Sequence, residues 1–393
     1  MSKFFSHDAP LPWLGGLSSR QFMQEHWQKK PLLVRGAFAR LFAQSLPITL
    51  ADVAQACEQG ELPTRLVDSR FTVAHGPLDP QTIPGLQQRG WTILVQQMNT
   101  AFAEADEFLD HFRFIPEGRL DDLMTSVASD QGGIGAHVDS YDVFLVQAHG
   151  RRLWELAQRF DPTLKEGLDL RILKNFKAQT ALLCEPGDLL YLPPGWAHRG
   201  VAIDPQRTGC MTYSVGFRAP DLRELADEAV GQHLDGLKVR PWADPWLEPS
   251  PRPGVLPNRL VEQMAQEAMQ CLPNARQMAR SVLAALSSPH PQIWVKMPNS
   301  PAVKRFAQTL AATKGGLALA PGARLLCWRG QFAANGELLQ ARGHTRELLL
   351  ELATQRVLSA SVCRRAARSQ GDRELLQTLF ERGVVIFVTK KGL

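Results

Sequence analysis

The sequence predicts a mostly β core, a sandwich or small barrel, followed by a helical region and a small winged-helix-like α+β unit. Three observations carry this. Short apolar, β-branched runs crowd together between residues 104 and 217, broken by the turns "AHG", "EPGD" and "PPG". Many short strands with frequent turns suit a sandwich or a closed barrel. After Pro220 the apolar residues shift from strand to helical spacing, and the last hundred residues interleave helix signals with strand pairs.

Taken in order, residues 17–60 read as short helices and strands. "SSRQFMQEHWQKKP" is helical until Pro31 stops it, and "PLLVRG" and "WTILVQQM" are strand-like. The dense region contributes "YDVFLVQA", "RRLWELA", "TALLCEPGDLLYLPP" and "MTYSVGF". Two helices follow, "DLRELADEAVGQHLDGLKV" and "NRLVEQMAQEAMQCL", with the Pro-rich arm "RPWADPWLEPSPRPGVLP" between them. The tail gives helices at "AVKRFAQTLAATK", "TRELLLELATQ" and "RELLQTLFERG", and strand pairs at "ARLLCWRGQFAANGELLQ" and "VVIFVTK". Helices followed by a β-ribbon are the outline of a winged helix. The expected units are residues 1–103, a flank of the core; 104–220, the strand-rich core; 221–293, a helical region; and 294–393, the winged-helix-like unit.

The 393 residues include 44% hydrophobic and 21% charged side chains, the balance of a water-soluble globular protein. No apolar run reaches the length of a membrane span. The prolines and Asp8 in "MSKFFSHDAPLPWLGG" do not make a signal peptide, so a cytoplasmic protein is expected. Six scattered cysteines without a C-x-x-C pair agree with a reducing compartment and argue against a thiolate zinc site. The net charge of +5 divides unevenly: residues 296–393 carry +10 and residues 1–295 carry −5. A basic tail leaves open contact with nucleic acid or simply a solvated surface.

The chemistry is concentrated in "GAHVDSYDVF" and "PPGWAH". Ten histidines and 39 acids predict about one His-x-acid pair by chance, and the chain has two. His233 and Asp235 fall in a helical stretch, where residues two apart point in different directions. His137 and Asp139 precede a strand-like run, where residues two apart share a face. "EPGDLLYLPPGWAH" reads as turn, buried strand and stiff proline turn delivering His198. Two imidazoles and one carboxylate on one face form the facial triad of non-haem Fe(II) oxygenases. Zinc with three protein ligands and a water is the rival. An oxygenase that uses 2-oxoglutarate needs a cation for the remote carboxylate, and a guanidinium binds one in bidentate fashion. "GRRLW" offers Arg151 and Arg152, of which strand alternation turns one inwards.

The stretches "RLDDLMTSVASDQGGIGAHVDSYDVFLVQAHGRRLW", "EPGDLLYLPPGWAHRG" and "YSVGFRAP" resemble the bacterial ribosomal oxygenases of the Jumonji-C (JmjC) class, as do "HWQKKPLLVRGAF", "VAHGPL" and "WTILVQQMN" upstream. The resemblance covers residues 17–220. It implies a cupin-type double-stranded β-helix that uses Fe(II), 2-oxoglutarate and O2. It implies iron on His137, Asp139 and His198, and the cosubstrate's C5 carboxylate on Arg152 and Ser126. Tyr141, Asp142 and Asp130 would line the entrance for the substrate. The substrate would be an arginine of the large-subunit ribosomal protein L-sixteen, hydroxylated at its β-carbon, and the helices after residue 220 would build a homodimer. No general base is needed, so no catalytic residue beyond the metal ligands is expected. Three rivals remain: hydroxylation of a histidine on another ribosomal protein, a cupin metalloenzyme of a small molecule, and a ligand-sensing regulator whose winged helix reads DNA.

Overall fold

The computed structural model describes residues 7–238, 240–290 and 297–388. The boundary expected between residues 293 and 294, and the end of the final strand signal, lie outside them.

Twelve strands build the first part of the chain: β1 (Leu32–Val34), β2 (Thr64–Val67), β3 (Val73–His75), β4 (Thr92–Val95), β5 (Leu120–Ala128), β6 (His137–Val138), β7 (Val143–His149), β8 (Arg151–Ala157), β9 (Thr180–Cys184), β10 (Leu189–Leu192), β11 (Ala197–Ile203) and β12 (Cys210–Phe217). They form two antiparallel sheets. The larger has the order β1-β10-β7-β12-β5-β4-β2-β3, and the smaller β6-β11-β8-β9. The upstream strands β1 to β4 are members of the same large sheet as the core.

The large sheet is covered on both faces, so β12 is buried along its whole length. Alternation sorts its residues. Phe144 and Val146 of β7 and Met211, Tyr213 and Val215 of β12 pack into an aromatic-rich core with Phe22, Phe38, Phe108 and Phe112 from the flanking helices and turns. Val143 and Leu145 point the other way, towards Trp154 and Leu156 of the smaller sheet. A one-residue slip would exchange the two sets, so burial on both faces fixes the register.

The helices that follow are Leu222–Asp235, Asn258–Gln270 and Ala275–Ser287. The sequence reading missed the third. Asn258–Gln270 has no buried residue, and Val261, Met264 and Met269 are exposed along it. The C-terminal part has its own core, including Phe306, Leu310, Leu349 and Leu376. Its strands are β13 (Leu317–Leu319), β14 (Leu325–Trp328), β15 (Gln331–Ala334), β16 (Glu337–Leu339), β17 (Val357–Leu358) and β18 (Val385–Phe387). The ribbon β14-β15-β16 does not follow the last helices. It precedes them and packs on Ala275–Ser287 through Ala333, Leu283 and Ala284. After the last described helix, Gln370–Glu381, β18 pairs with β13 instead. Arginines tie this part to the core: Arg356 reaches Glu117 at 2.8 Å, and Arg324 donates to the Asp121 carbonyl at 3.0 Å. Among the described residues no helix is long and apolar enough to cross a membrane.

Candidate metal centre and active site

His137 on β6 and His198 on β11 are direct cross-strand partners. Asp139 follows β6 in a loop held by the Gly195 amide, which donates to the Asp139 carbonyl at 2.9 Å. The strand pairing and the proline turn therefore converge on one point. The ligand-type atoms of His137, Asp139 and His198 lie within 4.8 Å of one another, the one such group among the described residues. The Nε2 atoms of His137 and His198 stand 3.8 and 3.6 Å from the Asp139 carboxylate.

Hydrogen bonds fix which ring nitrogen faces the cluster. His137 Nδ1 sits 3.1 Å from the Gly135 carbonyl, and His198 Nδ1 3.0 Å from the Trp196 carbonyl. A carbonyl only accepts, so each Nδ1 carries the proton and each Nε2 lone pair points to the centre. This is the outer support that metal-binding histidines require. Burial, with His137 beside it, pushes the His198 imidazole down to about 3, which keeps it neutral and able to ligate. Burial raises the Asp139 carboxyl, against the pull of His137. Two glycines allow the close packing. Gly135 has φ +84, and a Cβ there would strike Ile172 at 2.8 Å; a Cβ on Gly200 would meet the Trp154 ring at 2.6 Å.

The triad opens into a cavity of about 300 Å³ between the sheets, lined also by Arg152, Ser126 and Tyr141. Arg151 faces outwards and Arg152 inwards, as alternation on β8 requires. Arg152 is 4% exposed. Its Nε donates to Thr212 Oγ1 at 2.9 Å, and that hydroxyl donates to Gln147 Oε1 at 2.9 Å. Its Nη2 is buried without a hydrogen-bond partner. An unpaired buried guanidinium is costly, and its free edge faces a cavity that would hold a carboxylate. Ser126 lies opposite Thr212 on the neighbouring strand, on the same wall. Two nitrogens, one carboxylate oxygen and an anion site beyond them fit Fe(II) with a chelating dicarboxylate.

Tyr141 stands at the mouth, 38% exposed, and borders both the cavity and an adjoining cleft. The two acids expected beside it are elsewhere. Asp142 is fully buried and belongs to the opposite face of β7. It accepts from the Tyr191 hydroxyl at 2.6 Å and the Gln28 amide at 3.0 Å, with Arg119 at 3.7 Å. Asp130 is a clasp at the far end of β5. The Asp204 amide and Arg89, at 3.0 and 2.6 Å, hold its carboxyl below the usual range. Neither lines the cavity, so the expectation for both gives way to structural roles. The acids whose charge reaches Tyr141, besides Asp139, are Asp122 and Asp121 at the start of β5. Asp122 accepts from the Gln97 amide at 2.8 Å, and burial, with Asp121 adding to it, pushes its carboxyl up to about 7. The signal was present in "RLDDLMTS": Asp122 shares the parity of Met124 and Ser126, both of which line the cavity.

Residues 107–225 match the model of the JmjC domain. Among curated proteins, the chain is 36% identical over 225 residues to the ribosomal protein uL16 3-hydroxylase of Escherichia coli K12, covering 55% of this chain and 57% of that protein. It is 34% identical over 213 residues to a probable ribosomal oxygenase of Haemophilus influenzae, covering 52% and 51%. The chain thus spans little more than half the length of the curated relatives it matches. Among solved structures, the X-ray structure of E. coli YcfD superimposes with a TM-score of 0.81 at 27% identity, covering 94% of this chain and 98% of that one. YcfD in complex with cobalt and 2-oxoglutarate gives 0.77 at 28% identity with the same coverage.

Proposed function

We propose that this chain, whose residues 107–225 form a JmjC domain, is an Fe(II)- and 2-oxoglutarate-dependent hydroxylase of a ribosomal protein, acting at the β-carbon of an arginine in uL16. One observation carries the reading: two Nδ1-tethered histidines and a carboxylate converge beside an inward arginine that has no partner for its Nη2. That arginine weighs against a cupin metalloenzyme of some other small molecule, which needs no anion site at that depth.

His137, Asp139 and His198 would hold iron on one face, leaving the other open to the cavity. Arg152 and Ser126 would fix the C5 carboxylate of 2-oxoglutarate. When bound, the iron and cosubstrate supply the oxidation, in which O2 and 2-oxoglutarate become the new hydroxyl, succinate and CO2. The protein contributes orientation. The Thr212–Gln147 relay locks the Arg152 guanidinium, and the Leu145 and Trp154 walls exclude water. A guanidinium entering past Tyr141 would come within reach of the charge of Asp122 and Asp121, which is felt at Tyr141, and residues 1–295, net acidic, favour a cationic segment. No side chain is required as a general base. A uL16 fragment containing the target arginine should gain 16 Da with Fe(II), 2-oxoglutarate and O2, and its lysine counterpart should react poorly because lysine lacks the planar fork. If the arginine stays unmodified while a histidine on another ribosomal protein gains the oxygen, the substrate assignment is wrong.

The proposed units are a flank (1–103), the catalytic core (104–220), a helical dimerisation region (221–293) and a winged-helix-like unit (294–393) in a cytoplasmic protein. Support for the dimer is the helix Asn258–Gln270, amphipathic yet without a buried residue, where Val261 and Met264 are each more than two-fifths exposed. A second copy of the chain would cover that face. The double variant Val261→Glu, Met264→Glu should convert a dimer into a monomer by light scattering at micromolar concentration. A wild-type chain already monomeric there would refute it.

A further inference from the structure

Besides Arg152, two arginines line the cavity, the exposed Arg171 and the half-buried Arg65 of β2. Arg65 stands in a row that crosses the large sheet: it pairs with Leu94, Leu94 with Ser126, and Ser126 with Thr212. Strands in a sheet are about 4.8 Å apart, so β2 is roughly 10 Å to the side of β5. Arg65 therefore enters from the flank, towards the mouth. Its charge is felt at Tyr141, where it opposes the effect of the nearby carboxylates.

The Arg65 side chain makes no hydrogen bond or ion pair with any described residue, and its Nε is buried. Other arginines around the core are engaged: Arg89 with Asp130, Arg113 with Asp106, Arg119 with Asp142, and Arg218 with Asp121. A side chain with five N–H donors and no acceptor braces nothing within the fold. It presents donors to whatever occupies the mouth. The cosubstrate is an unsuitable acceptor, because its two carboxylates are already matched by the metal and by Arg152. A carboxylate of the substrate is also unsuitable, because the proposed substrate segment is cationic. A main-chain carbonyl is neutral, is present in every peptide, and accepts at the right geometry for a guanidinium.

We propose that Arg65 positions the substrate by donating to a main-chain carbonyl of the segment that carries the target side chain, opposite Tyr141. This rests on the reading of the chain as a ribosomal protein hydroxylase. With that carbonyl held on one side of the mouth, the target side chain has one path to the triad.

The test uses the full-length chain with Fe(II), and total ribosomal protein from cells lacking the gene, followed by the purified protein that gains oxygen. Arg65→Ala should raise the KM for that protein about tenfold, as expected for a lost charge-assisted hydrogen bond. The KM for 2-oxoglutarate should stay within about twofold. Arg65→Gln, which keeps N–H donors without the charge, should recover part of the loss. Thermal midpoints of both variants should stay close to wild type, because no hydrogen bond or ion pair within the fold is lost. The proposal is overturned by an unchanged KM for the protein, by a rise in the KM for 2-oxoglutarate instead, or by a Gln variant as poor as Ala, which would mean a carboxylate acceptor. A fall in the thermal midpoint of both variants would also overturn it. If wild type itself modifies no ribosomal protein, the reading on which it rests fails first and the proposal falls with it.

Discussion

Asp139→Ala is expected to abolish hydroxylation and to strip the protein of Fe(II). Asp139 is the only anion in the cluster; without it, two neutral imidazoles remain. Both histidines are oriented by carbonyls that accept from Nδ1, so neither can supply the missing negative charge. A divalent ion left with two neutral ligands in a half-buried site loses both affinity and its fixed open face. A fall of at least about a thousandfold in turnover is expected, since residues that act as one unit fail together. Metal content by mass spectrometry of the purified protein gives a readout independent of turnover. The internal control is His233→Ala. His233 and Asp235 repeat the His-x-Asp spacing on the helix Leu222–Asp235 and belong to no metal-type group among the described residues. That variant should keep its iron and its rate. An Asp139→Ala protein with wild-type turnover of 2-oxoglutarate would falsify the site.

The triad was legible because its chemistry and its local geometry coincide in sequence. A strand places residues two apart on one face, and a proline turn fixes where the third ligand arrives. The same rule of alternation selects Arg152 over Arg151 once the edge of β8 is known. It also explains where reading failed. The resemblance implies an entrance role for Asp142 beside Tyr141. Yet Asp142 shares parity with Phe144 and Val146, which face the aromatic core, and so its carboxylate is spent on Tyr191 and Gln28. Asp122 was overlooked because it stands 17 positions before Asp139, while antiparallel pairing brings distant strands together. Contributions from sequence-distant strands were the hardest to see. Strands β2 and β4 extend the large sheet and bring Arg65, Thr92 and Leu94 to the cavity, yet their short apolar runs carry no sign of which strand they pair with. The C-terminal strands are legible between and after the helices, but strand signals do not encode the partner against which a ribbon packs, so the seat of β14-β15-β16 on Ala275–Ser287 is not.

Arg152→Ala is expected to raise the KM for 2-oxoglutarate by about one to two orders of magnitude. The guanidinium is buried, so water cannot replace the lost donor, and the carboxylate that it matched would be left unpaired inside the protein. A charge-assisted hydrogen bond contributes roughly 1.5–3 kcal/mol, and each 1.4 kcal/mol is about tenfold. The wild-type geometry sharpens the expectation. Nε is already committed to Thr212, and Nη2 is the donor without a partner. Arg152→Lys keeps a charge but loses both the Thr212 tether and the fork, so it should recover only part of the affinity. Thr212→Val should give a smaller loss by releasing the guanidinium without removing it. Arg151→Ala, on the exposed side of the same strand, should be nearly silent. Direct titration of 2-oxoglutarate into metal-loaded protein separates binding from turnover. Should Arg151→Ala weaken that binding more than Arg152→Ala, the inward guanidinium is not the anchor, and the carboxylate must reach the protein from the solvent side of β8.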